Sequence, residues 1–185
     1  MAQHPLIPNR VFFTKGVGKH TNRLQSFELA LSRAGIERCN LVRVSSILPT
    51  RCKIISKVIG LKQLHPGQIT FVVLAEAATN EPSRLVGAGI GLAQPADGDN
   101  YGYISEHHGF GQRGKRIADL VEDMAATMLA TTLGIEFDSA RAYDERKEIY
   151  RMSGKIVRSR ACVQTAEGDK NGLWTTVVSA AVLLL

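Results

Sequence analysis

The amino-acid sequence predicts an α+β fold, and three observations carry that expectation. Two segments, Arg23–Ala34 and Gly114–Leu133, have apolar residues at helical spacing and recognisable ends. The other periodic segments are extended and come in runs, without the strict alternation of strand and helix that marks a parallel α/β sheet. Two of them, Ile69–Ala78 and Leu85–Ala93, are apolar on both faces and rich in Ala and Gly. Such strands suit sheets covered on both sides and packed closely.

Composition bounds the rest. At 185 residues the chain is long enough to bury a real core as a single domain, 1–185, and its 44% hydrophobic and 22% charged content is that of a globular protein. The net charge of +6 is spread over every segment; the densest cluster, Arg113-Gly114-Lys115-Arg116, is small, so nucleic-acid binding is not expected. Three cysteines, Cys39, Cys52 and Cys162, form no CxxC pair, which argues against a disulfide framework or a zinc site. No charged-then-apolar leader opens the chain. The longest apolar run, Trp174–Leu185, is too short to span a membrane, which takes about 20 residues. A cytoplasmic protein without membrane partners is the expectation.

In chain order, residues 1–9 contain two prolines and read as a loose arm. Arg10–Thr14 reads as a first strand, and Lys15–Thr21, with Gly16 and Gly18, as a flexible loop. Thr21 or Asn22 caps the first helix and Gly35 ends it. In that helix Leu24, Phe27 and Leu31 fall three and four apart and share one face, with Glu28 at its edge. Glu28 is either a solvated surface carboxylate or a charge at the rim of an apolar slot. Asn40–Val44 (NLVRV) reads as a short buried strand that ends at Ser45-Ser46 and is stopped by Pro49. Lys53–Val58 reads as extended, Gly60–Gly67 as a loop with a His-Pro-Gly turn, and Asn80-Glu81-Pro82-Ser83 as the turn of a hairpin joining the two long apolar strands. After the polar turn 95–100, Tyr101–Glu106 reads as a strand. The second helix keeps Ile117, Leu120, Val121, Met124, Met128 and Leu129 on one face and stops at Gly134. Asp138–Tyr150, Ile156–Thr165 and Leu173–Leu185 read as closing strands.

The run NLVRVSSILP, preceded by FELALSRAGI and followed by YISEHHG, resembles the pyruvoyl-dependent arginine decarboxylases. The likeness is strongest over 24–49, continues through 69–94, Glu106 and 113–133, and fades after about 146. It implies a four-layer αββα sandwich assembled as a homotrimer or a dimer of trimers. It also implies a precursor that cuts itself at Ser45–Ser46 into a β chain, 1–45, and an α chain, 46–185. Ser46 would become a covalent pyruvoyl group, with no pyridoxal phosphate and no metal. The enzyme would convert L-arginine to agmatine and carbon dioxide.

The resemblance also assigns roles. Glu106 matches the acid that returns a proton after decarboxylation; a carboxylic acid suits that step. The family has two carboxylates near here, whereas this chain has Glu106 and then His107-His108. Glu28 matches the acid that receives the substrate guanidinium, a cation that a carboxylate can bind in a bidentate way. The family acid is usually one carbon shorter. Leu24 and Leu31 match the apolar slot. Asn40 matches a donor that supports processing; it could equally satisfy a buried backbone group. Glu37 and Cys39 depart from the family pattern. Two rivals stay open beside this reading: a pyruvoyl decarboxylase for another basic amino acid, and a scaffold that never cuts. A third is a dinucleotide site on Gly109-Phe110-Gly111-Gln112-Arg113-Gly114, which has GxGxxG spacing. The polar end of the preceding strand and the late position of Asp138 count against it.

Overall fold

The structure is a computed structural model that describes residues 6–136, 149 and 153–185. Its layers run helix, sheet, sheet, helix. The first sheet has five strands: β1 (Arg10–His20), β2 (Asn40–Arg43), β4 (Lys53–Ile54), β5 (Ile69–Thr79) and β9 (Trp174–Leu184), in the order β2-β5-β9-β1-β4. The second has four: β3 (Ile47–Leu48), β6 (Leu85–Pro95), β7 (Gly102–Phe110) and β8 (Ile156–Glu167), in the order β3-β7-β6-β8. Helix α1 (Arg23–Ala34) covers the first sheet and α3 (Gly114–Thr132) the second; α2 (Lys57–Leu61) is a single short turn beside β1. The sheets are mixed, which is the α+β class that the sequence predicts.

Three apolar clusters hold the layers. Between the sheets lie Val11, Phe13, Val73, Ile90, Leu92, Ile104 and Val177. Phe12, Ala30, Leu31, Ile36, Val72, Leu74 and Val182 pack between α1 and the first sheet. Ala93, Ala125, Ala126, Leu129 and Ala130 lie under α3. Neighbouring residues such as Phe12 and Phe13, or Val72 and Val73, serve opposite faces, as the two-residue period of a strand requires. This is why β5, β6 and β9 carry apolar residues on both faces.

The ends of α1 are where the sequence puts them. The Asn22 side chain accepts the Gln25 N–H at 3.2 Å, and Gly35 takes the left-handed conformation at φ 84° while its N–H closes on Leu31 and Ser32. The apolar face is not as expected. Ser26, Ala30, Leu31 and Ala34 are buried, whereas Leu24 is 67% exposed. Small residues line the buried side because α1 lies almost on the strand. A Cβ on Gly16 would stand 2.1 Å from the Ala30 carbonyl oxygen, and one on Gly18 would stand 2.0 Å from that of Ser26. These glycines do not open a loop: β1 continues through them to His20, paired with β9 along all eleven residues. Thr14 and Ser26 fasten the layers, through Thr14 Oγ1 to the Ala34 carbonyl at 2.5 Å and a Ser26–Thr176 hydroxyl pair at 2.6 Å.

Three further expectations are corrected. Only Lys53 and Ile54 of the extended stretch form a strand, and Ser56 caps α2 from Lys57, so Gly60 is helical and not in a loop. The turn at 80–83 does not close a hairpin. β5 pairs with β2 and β9 in the first sheet, and β6 pairs with β7 and β8 in the second, so the turn carries the chain between sheets. Asn40–Arg43 is an edge strand, mostly exposed, and not a buried one. The expected strand 138–150 falls, Ile149 aside, outside the described residues, as does the Asp138 of the dinucleotide alternative. That alternative also lacks its fold. The strands flanking α3, β7 and β8, are separated by the antiparallel β6, so they do not form an adjacent parallel βαβ unit.

Candidate active site

Ser45-Ser46 stands where the chain first crosses from one sheet to the other, between β2 and β3. β2 runs parallel to β5, with Asn40 opposite Ile69 and Arg43 opposite Val72, and the Val44 N–H still bonds the Val72 carbonyl at 3.0 Å. Two residues later the chain has changed sheets. The Ser46 carbonyl accepts the Ile104 N–H of β7 at 2.7 Å, and β3 follows with Ile47 opposite Tyr103 and Leu48 opposite Gly102. Pro49 ends the strand after Leu48, which is buried in the core between the sheets. The peptide joining Ser45 to Ser46 therefore bridges two rigid ladders. Within it, the Ser45 carbonyl accepts the N–H of Ile47 at 3.0 Å, which closes a three-residue turn centred on Ser46.

An apolar cavity of about 520 Å³ opens at this crossing. Leu6, Ile7 and Pro8 of the N-terminal arm form one wall, Phe71 and Leu183 another, and Val44, Ser45 and Ile47 the side nearest the crossing. The arm is anchored just behind, where the Asn9 N–H bonds the Leu184 carbonyl at 2.9 Å and the Asn9 carbonyl accepts the Lys53 N–H at 2.9 Å.

Glu106 lies on β7 two residues beyond Ile104, about 7 Å along the strand, and on the same face as Ile104. It is exposed, because β3 covers only the start of β7. Glu106 thus lies two positions along β7 from the residue whose N–H holds the Ser46 carbonyl. His107 points to the other face, where its Nε2 meets Gln112 Oε1 at 3.1 Å. His108 is exposed on the Glu106 side. Among the described residues, no three His, Cys, Asp or Glu side chains gather closely enough to hold a metal ion.

The other sequence candidates lie elsewhere in the protomer. The Asn40 amide donates to the Gly67 carbonyl at 2.9 Å, at the far end of β2. Glu28 is exposed on α1, and the first sheet stands between that helix and the second sheet, to which Ser46 is bonded. Leu31 is 5% exposed and sits in the core beneath α1, and neither it nor Leu24 lines the cavity at Ser45. Sequence reasoning also missed several groups. The arm residues 6–8 and Phe71 carry no local signal, since only the tertiary fold brings them to Ser45. The same holds for Arg43, which forms an ion pair with Glu76 of β5.

The model of the family described as "Pyruvoyl-dependent arginine decarboxylase (PvlArgDC)" matches residues 10–185. The chain belongs to this family. It is 62% identical over 178 residues to a probable pyruvoyl-dependent arginine decarboxylase of Chloroherpeton thalassium, covering 96% of this chain and 98% of that protein. It is 55% identical over 179 residues to pyruvoyl-dependent arginine decarboxylase 2 of Methanosarcina acetivorans, covering 97% and 98%. The corresponding protein of Methanococcoides burtonii is 53% identical over 180 residues, covering 97% and 100%. The pyruvoyl-dependent arginine decarboxylases are, as the name states, carboxy-lyases with a pyruvoyl cofactor. The residues at the crossing fit such a group. Ser46 supplies the hydroxyl from which it would be made, and Ser45 supplies a carbonyl that already accepts a hydrogen bond.

Proposed function

We propose that this chain is the precursor of a cytoplasmic arginine decarboxylase that converts L-arginine to agmatine and carbon dioxide, its cofactor made by self-cleavage at Ser45–Ser46. The observation that carries this reading is the crossing itself. In a member of this family, the two adjacent serines occupy the peptide between sheets, with both of their carbonyls hydrogen-bonded. Cutting there yields the 1–45 and 46–185 chains of one domain. Once formed, the pyruvoyl group supplies an electron-withdrawing carbonyl that binds the substrate amine and takes up the electrons released with carbon dioxide.

The chain's own residues do the rest. Glu106 holds the proton returned to the substrate carbon, and its position two residues past the Ser46 partner on β7 supports that role. The cavity at Ser45 offers an apolar wall beside the crossing. Glu28 binds the guanidinium, and its place on the outer layer supports a site completed by a neighbouring protomer of a trimer. The charge suits any long cationic side chain, and the reach of a glutamate favours testing lysine and ornithine beside arginine.

Intact mass under denaturing conditions, followed by an assay for agmatine, tests the proposal. Scaled by residue count from 20.1 kDa, the fragments are about 5 and about 15 kDa, and the larger is blocked to Edman chemistry. A chain that stays whole on long incubation, or a cut chain that leaves arginine untouched, refutes it.

A further inference from the structure

We infer that the backbone N–H of Ile47 is the catalytic donor for self-cleavage, stabilising the negative charge on the Ser45 carbonyl oxygen. The inference rests on the reading that Ser45–Ser46 is the cleavage site, and it names the group that drives the cut. Three observations carry it.

The first is contact. The Ile47 N–H lies 3.0 Å from the Ser45 oxygen, inside the range of an oxyanion donor, and among the described residues it is the only protein group donating to that oxygen. The second is availability. Opposed residues in an antiparallel pair alternate between bonded and unbonded. The bond from Ile104 N–H to the Ser46 carbonyl makes Ile47 and Tyr103 an unbonded pair. The Ile47 N–H is therefore turned away from β7 and has no ladder partner to surrender. The third is the position of the alternative. The Asn40 amide is held on the Gly67 carbonyl, five residues before Ser45, which in extended chain is about 16 Å.

The chemistry uses this donor twice. Ser46 Oγ adds to the Ser45 carbonyl carbon. The C–Oγ bond forms, the carbonyl electron pair moves onto oxygen, and the hydroxyl proton passes to the Ser46 nitrogen as the C–N bond breaks. An ester and a free amine result. The Ser46 Cα then loses its proton, the Cβ–Oγ bond breaks, and Ser45 leaves as a carboxylate. The remaining enamine becomes an imine, takes up one water and releases ammonia. Negative charge appears on the Ser45 carboxyl group in both the addition and the departure, and the Ile47 N–H faces one of its oxygens throughout. Because the donor is the amide of the residue after Ser46, it stays with the new α chain when Ser45 goes.

The test replaces Ile47 by its α-hydroxy acid, which exchanges the N–H for oxygen and keeps the side chain. Processing of the full-length chain is followed over time by intact mass under denaturing conditions. The expected result is cleavage slowed by roughly 10²-fold, the usual loss for one oxyanion donor. Ile47→Pro deletes the same donor without touching the ladder to β7 and is slowed to a similar degree. The α-hydroxy acid at Ile104 is the control, since it weakens the hold on Ser46 but leaves the Ile47 donor in place. The inference is overturned if the Ile47 ester chain cuts at the wild-type rate, or if the Ile104 ester slows cleavage as much. A wild-type chain that never cuts removes the cleavage reading itself, and the inference with it.

Discussion

Replacing Ser46 by alanine takes away one oxygen atom and, on the proposed reading, the whole activity. The variant should remain a single 20.1 kDa species and form no agmatine, measured by mass and by product assay on one sample. Glu106→Gln separates two stages. It should cut as the wild type does yet lose decarboxylation by about 10²-fold or more, since its carboxyl is assigned to returning a proton and not to the cut. If the cut itself fails in Glu106→Gln, the carboxyl belongs to processing. Cys52 gives a pH test unrelated to the site. It is 1% exposed, and burial pushes its thiol from 9.0 up to about 11. The folded state holds the proton more tightly than the unfolded one, so this contribution is complete below pH 9 and is lost as pH rises towards 11. Urea midpoints should fall across that window, and Cys52→Ala should flatten the fall.

The contact between α1 and β1 has no room for a side chain at the glycines. In Gly18→Ala the new methyl meets backbone on the facing helix, the kind of neighbour that cannot step aside. The expected cost is about 1–3 kcal/mol, seen as a melting temperature several degrees lower. An unchanged melting temperature would mean that α1 moves away freely. The same pair of glycines explains a limit of the sequence. The caps of α1 are local chemistry, so Asn22 and Gly35 could be read directly. Gly16 and Gly18 looked like a loop because their reason lies across space, in helix carbonyls that pattern cannot reveal. The 80–83 turn failed in the same way, since its residues suit any tight reversal and say nothing of which sheet the next strand joins. Ser45-Ser46 and Glu106 were singled out through the resemblance to the family and not through any local pattern, and the roles given to them are proposals. The register that puts Ile104 opposite Ser46, and the turn of the Ile47 N–H onto the Ser45 carbonyl, needed the fold.

For the molecule as a whole, the separation of Glu28 from Ser46 makes a prediction about assembly. If each site takes Ser46 from one protomer and Glu28 from the next, Ser46→Ala and Glu28→Ala should each be inactive alone. Unfolded together and refolded as mixed oligomers, they should recover a fraction of the wild-type rate, because some sites then receive both intact residues. No recovery in verified mixed oligomers would put both residues of a site in one protomer.

The crossing at Ser45-Ser46 also decides what a cut would leave behind. The first fragment would carry β1, α1 and β2 and no strand of the second sheet. Its β1 is a central strand, bonded along its length to β9 of the other fragment. The cut would therefore turn one folded chain into a heterodimer whose interface is a slice through its own core. Its two halves should stay together on dilution far below any ordinary binding constant. The newly freed ends, each still tied to its own sheet, would then be at liberty to move apart.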